Sequence, residues 1–181
     1  MNFKHLFEEQ KKLDKEIMDK HNTTKKDTFE DRIIAMSVEL SECINEVRNF
    51  KYWSNKPASP KEVILEEYVD IIHFLLSLGL DLEENKKINW RVVNRGYEPR
   101  HLTTTINDNF MDINKNLNDL YSLGTSSLDT SGVKLAMWCT YITLFESVLD
   151  LGYKLGFNFK DIEDMYYKKN AINHKRQEEN Y

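Results

Sequence analysis

Ser59-Pro60-Lys61-Glu62-Val63-Ile64-Leu65-Glu66-Glu67-Tyr68-Val69-Asp70-Ile71-Ile72-His73-Phe74-Leu75-Leu76-Ser77-Leu78-Gly79 reads as one long, largely buried helix. Its first four residues offer an N-cap, a proline at the first helical position and a capping-box glutamate. The apolar residues that follow keep helical spacing to about Gly79, where the glycine predicts a stop. Two acids, Glu67 and Asp70, are set into this pattern three residues apart and therefore share a face. Upstream, Glu39-Leu40-Ser41-Glu42 repeats the device among Ile33, Ile34, Met36, Val38 and Ile44. Four acids beside an apolar seam repel one another and are costly to desolvate unless a cation neutralises them. Hard carboxylate oxygens on two neighbouring helices suit Mg²⁺ or Mn²⁺, and Mg²⁺ with open positions suits phosphate substrates.

The rest of the chain reads as helices too. Phe3, Leu6, Phe7, Leu13 and Ile17 mark a first helix over 3 to about 20, with the polar Gln10 and Asp14 close to its apolar stripe. Thr28 predicts the cap of a second helix that reaches about Phe50 and ends in the cluster Phe50-Lys51-Tyr52-Trp53. Periodicity lapses over 83–105, where Ile88 to Val93 reads as a short strand or irregular loop and Gly96 to Pro99 as a turn. A weaker helix spans about Asn107 to Leu123, another runs from Val133 to about Leu155, and Asn158 caps a last one to about Gln177. The expectation is one all-α domain over 1–181: a helical bundle with a helix-pair metal site and a helical or loop insertion at about 84–130. Only 6 Gly and 3 Pro in 181 residues argue against a many-stranded sandwich.

Net charge −5 argues against non-specific binding to nucleic acid or anionic membranes. With no signal peptide and no 18-residue apolar run, the expected location is the cytoplasm. The two cysteines, Cys43 and Cys139, lie in apolar helical contexts and are expected to be reduced and buried. Near the C-terminus, Lys169, Asn173 and Arg176 stack at i, i+4 and i+7 into a polar, cationic stripe. Lys and Arg hold phosphate oxygens, and an Asn amide both donates to and accepts from a base edge. A basic last helix is also what the macrodipole favours on its own. From residues alone, the working expectation is a Mg²⁺-dependent nucleotide pyrophosphatase.

Taken together, these segments resemble the dimeric, all-α dUTPase family of the all-α NTP pyrophosphatase (MazG-like) superfamily. The superfamily mark, E-x-x-E followed by E-x-x-D, stands here as Glu39-x-x-Glu42 and Glu67-x-x-Asp70. Narrower features are Gln10-Lys-Lys-Leu13-Asp14, Asn45-Glu-Val-Arg48-Asn-Phe50-Lys51-Tyr52-Trp53, the run from Leu65 to Phe74 and the C-terminal K-x-x-x-N-x-x-R-Q. Where the family tends to finish R-Q-x-x-G-Y, Asn180 replaces the glycine. Asn tolerates left-handed angles best among non-glycine residues.

The resemblance implies hydrolysis of dUTP, and of dUDP, to dUMP by a homodimer. Glu39, Glu42, Glu67 and Asp70 would hold two or more Mg²⁺ ions, with Mn²⁺ as a substitute, and Glu39 would also orient or deprotonate the attacking water. Lys169 and Arg176 would face the phosphates. Gln10 and Asn173 would read uracil, with Asp14, Asn45, Lys51 and Trp53 as further substrate contacts. Lys51 reads equally well as a polar residue after a helix end. Glu46 is either a neighbour of the ligands or a surface residue, Glu66 a solvated one, His73 a packed core histidine, and Trp90 and Trp138 packing residues. Two other readings stand beside this one. One is a MazG-like pyrophosphatase of other base specificity. The other is a phage protein that also binds a repressor, of the staphylococcal pathogenicity island type.

Overall fold

A computed structural model describes residues 3–84 and 104–179. They form six helices: α1 (Lys4–His21), α2 (Phe29–Val47), α3 (Lys61–Glu84), α4 (Ile106–Gly124), α5 (Ser131–Lys154) and α6 (Phe159–Glu178). The architecture is all-α, with no strand among the described residues. The readings placed on Ile88 to Val93, Gly96 to Pro99, Trp90 and Asn180 lie outside them. No described helix is long and apolar enough to cross a membrane.

α3 is the central element. Its Tyr68, Val69, Ile71, Ile72, Leu75 and Leu76 are fully enclosed, and α1, α2, α5 and α6 all pack on it. α4 packs on α5 and α2, and its Ile113, Leu117 and Leu120 join the same buried cluster as the other five helices. Burial of this order, roughly 1.5–3 kcal/mol per large apolar side chain, holds the acids of α2 and α3 in a fixed relation.

The helix ends show where local signals were overridden. Gly79 does not stop α3, which continues to Glu84. A Cβ there would meet the Tyr141 hydroxyl at 2.1 Å, and that hydroxyl donates to the Leu75 carbonyl at 2.9 Å. The same notch recurs in reverse, with Tyr68 against Gly152 and its hydroxyl donating to the Val148 carbonyl. Both glycines are therefore packing residues that let α3 and α5 approach.

α2 ends at Val47, short of Phe50, because Arg48 turns left-handed at φ 67°. Its guanidinium secures that strained angle by donating to the Lys56 carbonyl and the Ser54 hydroxyl. Thr28 gives α2 no side-chain cap; its hydroxyl donates back to the Thr24 carbonyl at 3.0 Å. Ser59 likewise does not cap α3: its hydroxyl donates to Glu46, and the first helical bond returns to the Pro60 carbonyl. Asn158 does cap α6, in a reciprocal capping box with Asp161. Cys43 is buried as expected, whereas Cys139 lies on the exposed side of α5. Ile34 and Val38, part of the apolar pattern of α2, face outward at 55% and 48% exposure.

Candidate active site

Because α2 and α3 pack side by side, their acids meet. Glu39, Glu67 and Asp70 each place a carboxylate oxygen within 4.8 Å of the other two. Glu42, one turn after Glu39, is exposed and stands outside this trio. Burial, then the charges of Asp70, Glu42 and Glu67, push the Glu39 carboxyl up to about 7. Burial and the charges of Asp70 and Glu42 raise Glu67 as well. Asp70 is raised by burial although Lys169 opposes the shift; the Lys169 ammonium pairs with its Oδ2 at 2.6 Å. Three hard oxygen donors, partly desolvated and resisting ionisation, are the donor set that a divalent cation of the Mg²⁺ or Mn²⁺ kind would satisfy. One lysine neutralises only part of that charge.

Beside the trio opens a cavity of about 380 Å³ between α1, α2, α3 and α6, to which Gln10, Glu39, Asp70, His73, Asn173 and Arg176 contribute. On the other side of α2 a larger groove of about 840 Å³ runs towards α4 and takes in Glu42, Asn45, Glu46 and Glu67. The larger is an open trough; the smaller carries the convergent amide, imidazole and guanidinium groups that recognition of a small polar ring requires. The acids stand at the boundary of the two.

The floor of the smaller cavity is a buried polar chain. Gln10, 4% exposed, donates from Nε2 to Asp14 Oδ1 at 2.7 Å. Its Oε1 accepts from the Tyr166 hydroxyl at 2.9 Å and lies 2.8 Å from His73 Nδ1. Ser77 donates to Asp14 Oδ2 at 2.8 Å, and Arg32 donates both to Ser77 and to Asp81. The Arg32 guanidinium also reaches the Thr28 and Lys25 carbonyls, fastening the start of α2 to α3. His73 stacks on Tyr166 with 4.2 Å between ring centroids, and burial pushes its pKa down to about 3. It is a neutral ring whose Nε2 is buried with no hydrogen-bond partner among the described residues.

Of the residues singled out in the sequence, Gln10, Asp14, Glu39, Asp70, Asn173 and Arg176 share this cavity, and Lys169 joins them through Asp70. Glu42, Glu67 and Asn45 face the neighbouring groove. Lys51 donates to Asn45, and Trp53, 65% exposed, meets Tyr52 and Phe50 edge-on after α2. Glu46 splices the ends of α2 and α3 through Ser59, and Glu66 pairs with Lys168 at the surface. Trp138 packs half-buried against the core. His73 is packed as expected, yet it also lines the cavity. Sequence reading missed Tyr166, Ser77 and Arg32. Their only trace was polar residues recurring inside apolar stripes.

The sequence model of a family described as dUTPase matches residues 2–181. Comparison with curated proteins gives no match.

Proposed function

The chain belongs to the dUTPase family and is a dUTP diphosphatase, and from that premise we propose how its residues divide the work. The carrying observation is the juxtaposition of the carboxylate trio with a cavity bearing Gln10, His73, Asn173 and Arg176. The reaction is Mg²⁺-dependent cleavage between the α- and β-phosphates of dUTP, giving dUMP and pyrophosphate; dUDP gives dUMP and phosphate. Glu39, Glu67 and Asp70, with Glu42 nearby on the groove side, would hold two or more Mg²⁺ ions, for which Mn²⁺ could substitute. Bound there, such ions lower the pKa of a coordinated water and neutralise the phosphate oxygens.

Glu39, whose carboxyl resists ionisation most, orients the attacking water and takes its proton. Lys169 and Arg176 face the charge that builds on the phosphates. In the cavity, a Gln10 N–H, His73 Nε2 and the Asn173 amide read the uracil edge. Asn45, Lys51 and Trp53 approach the nucleotide from the end of α2. The active form is a homodimer, a second copy covering the exposed Ile34 and Val38 of α2.

The test is kcat/KM for dUTP, dCTP and dTTP with wild type, Gln10→Ala and His73→Ala. The reading expects both variants to lose most of the preference for dUTP over dCTP while keeping Mg²⁺-dependent turnover. Unchanged preference in both would remove the base-reading role from this cavity.

A further inference from the structure

We propose that Asp14 sets the base preference of the cavity without touching the base. Its carboxylate fixes the Gln10 amide, the amide fixes which nitrogen of His73 carries the proton, and the two then present one donor and one acceptor. The inference rests on the reading of this cavity as the base pocket.

The chain of constraint starts from acceptor chemistry. An ionised carboxylate only accepts hydrogen bonds. Both oxygens of Asp14 are engaged, Oδ1 by Gln10 Nε2 at 2.7 Å and Oδ2 by the Ser77 hydroxyl at 2.8 Å. Burial raises its pKa, but both of these hydrogen bonds and the Arg32 charge favour the ionised form. The opposite amide orientation would set Gln10 Oε1 against Asp14 Oδ1, two acceptors face to face in a buried place. Gln10 therefore points Nε2 at Asp14 and Oε1 at His73.

An amide oxygen likewise only accepts, so the 2.8 Å contact to His73 requires the proton on Nδ1. The ring is neutral, which leaves Nε2 with a lone pair, and that atom is buried and without a partner among the described residues. What remains is the second N–H of Gln10 as a donor and Nε2 of His73 as an acceptor. Uracil meets such a pair with a carbonyl acceptor and the N3–H donor. Cytosine reverses both, offering an N4 amino donor and an N3 acceptor.

Asp14→Asn is nearly isosteric and brings a donor. With it the network is satisfied in the reversed sense as well. The new amide donates to Gln10 Oε1 and still accepts from Ser77, while Gln10 Nε2 donates to His73 Nδ1. The Tyr166 hydroxyl then donates to the Leu6 carbonyl, to which it already lies within 3.2 Å. In that arrangement His73 Nε2 carries the proton and the pocket shows the complement of cytosine.

Two readouts test this. In kcat/KM, Asp14→Asn should cut the dUTP-to-dCTP ratio by roughly tenfold or more, since hydrogen-bond mismatch in a built polar site is heavily discriminated. In ¹⁵N NMR, wild-type His73 should show Nε2 as the unprotonated nitrogen, and Asp14→Asn should move that character, wholly or in part, to Nδ1. An unchanged ratio in Asp14→Asn, where Gln10→Ala and His73→Ala do change it, overturns this inference and spares the base pocket. An unchanged ratio in all three overturns the base pocket itself. Should Asp14→Asn fail to fold, the wild-type spectrum still decides: a proton on Nε2 of His73 refutes the proposal.

Discussion

Glu39→Gln should make the metal-free protein more stable at alkaline pH while abolishing its activity. A carboxyl lifted from its ordinary 4.5 to about 7 is one the folded state prefers protonated. Between those values the folded state binds more protons than the unfolded, so stability falls as pH rises through the window and the penalty is complete above 7. At about 1.36 kcal/mol per pH unit the ceiling is roughly 3.4 kcal/mol. Glu39 is only half-buried, and solvent screening reduces this to about 1–2 kcal/mol. For a chain of this length that is a gain of about 3–6 °C in Tm. Thermal unfolding in EDTA at pH 8 and pH 5 measures it: the variant should exceed wild type at pH 8, and most of the gain should vanish at pH 5. Added Mg²⁺ should then raise wild type more than the variant, because it removes the repulsion that the substitution has already relieved. Equal gains at both pH values, or a variant less stable than wild type at pH 8, would refute the reasoning.

Three further outcomes are expected. Arg32→Met should cost about 1.5–3 kcal/mol in urea unfolding, because the paired bonds from the Arg32 guanidinium to Asp81 and its bond to the Ser77 hydroxyl would be lost. Lys169→Met should lower kcat/KM for dUTP by roughly 10²–10³-fold with the helical circular dichroism unchanged, since the ammonium pairs with Asp70 of the carboxylate trio. A thiol reagent should modify the exposed Cys139 in the native protein and leave Cys43 until unfolding, because Cys43 is buried and its thiol is pushed up to about 12 by desolvation.

The helices were legible because their apolar residues recur at the helical period, and Asn158 was legible as the cap of α6, though not its reciprocal partner Asp161. Their ends were less so. Gly79 looks like a stop in sequence, and only the Tyr141 ring lying against it explains why α3 continues. Arg48 could not be read as a stop, because its left-handed angle depends on bonds to residues six and eight positions on. The acid pairs pointed to a candidate metal site through their spacing and apolar setting, but spacing did not separate Glu42 from the trio; that follows from how α2 is turned against α3. The Gln10–His73–Tyr166 network joins α1, α3 and α6 across more than 150 residues of chain, a contact that no local pattern records. Asp14 was visible as a polar residue near an apolar stripe and, through the resemblance, as a substrate contact, but its partner Ser77 was not singled out.

The most direct measurement of the central claim is product analysis with dUTP as substrate, in Mg²⁺ and in EDTA, for wild type and Asp70→Asn. The account predicts dUMP and pyrophosphate in Mg²⁺ only, with turnover lost in the variant. Turnover that persists in EDTA, or that Asp70→Asn leaves intact, would contradict the assignment of the carboxylate trio as the reacting centre.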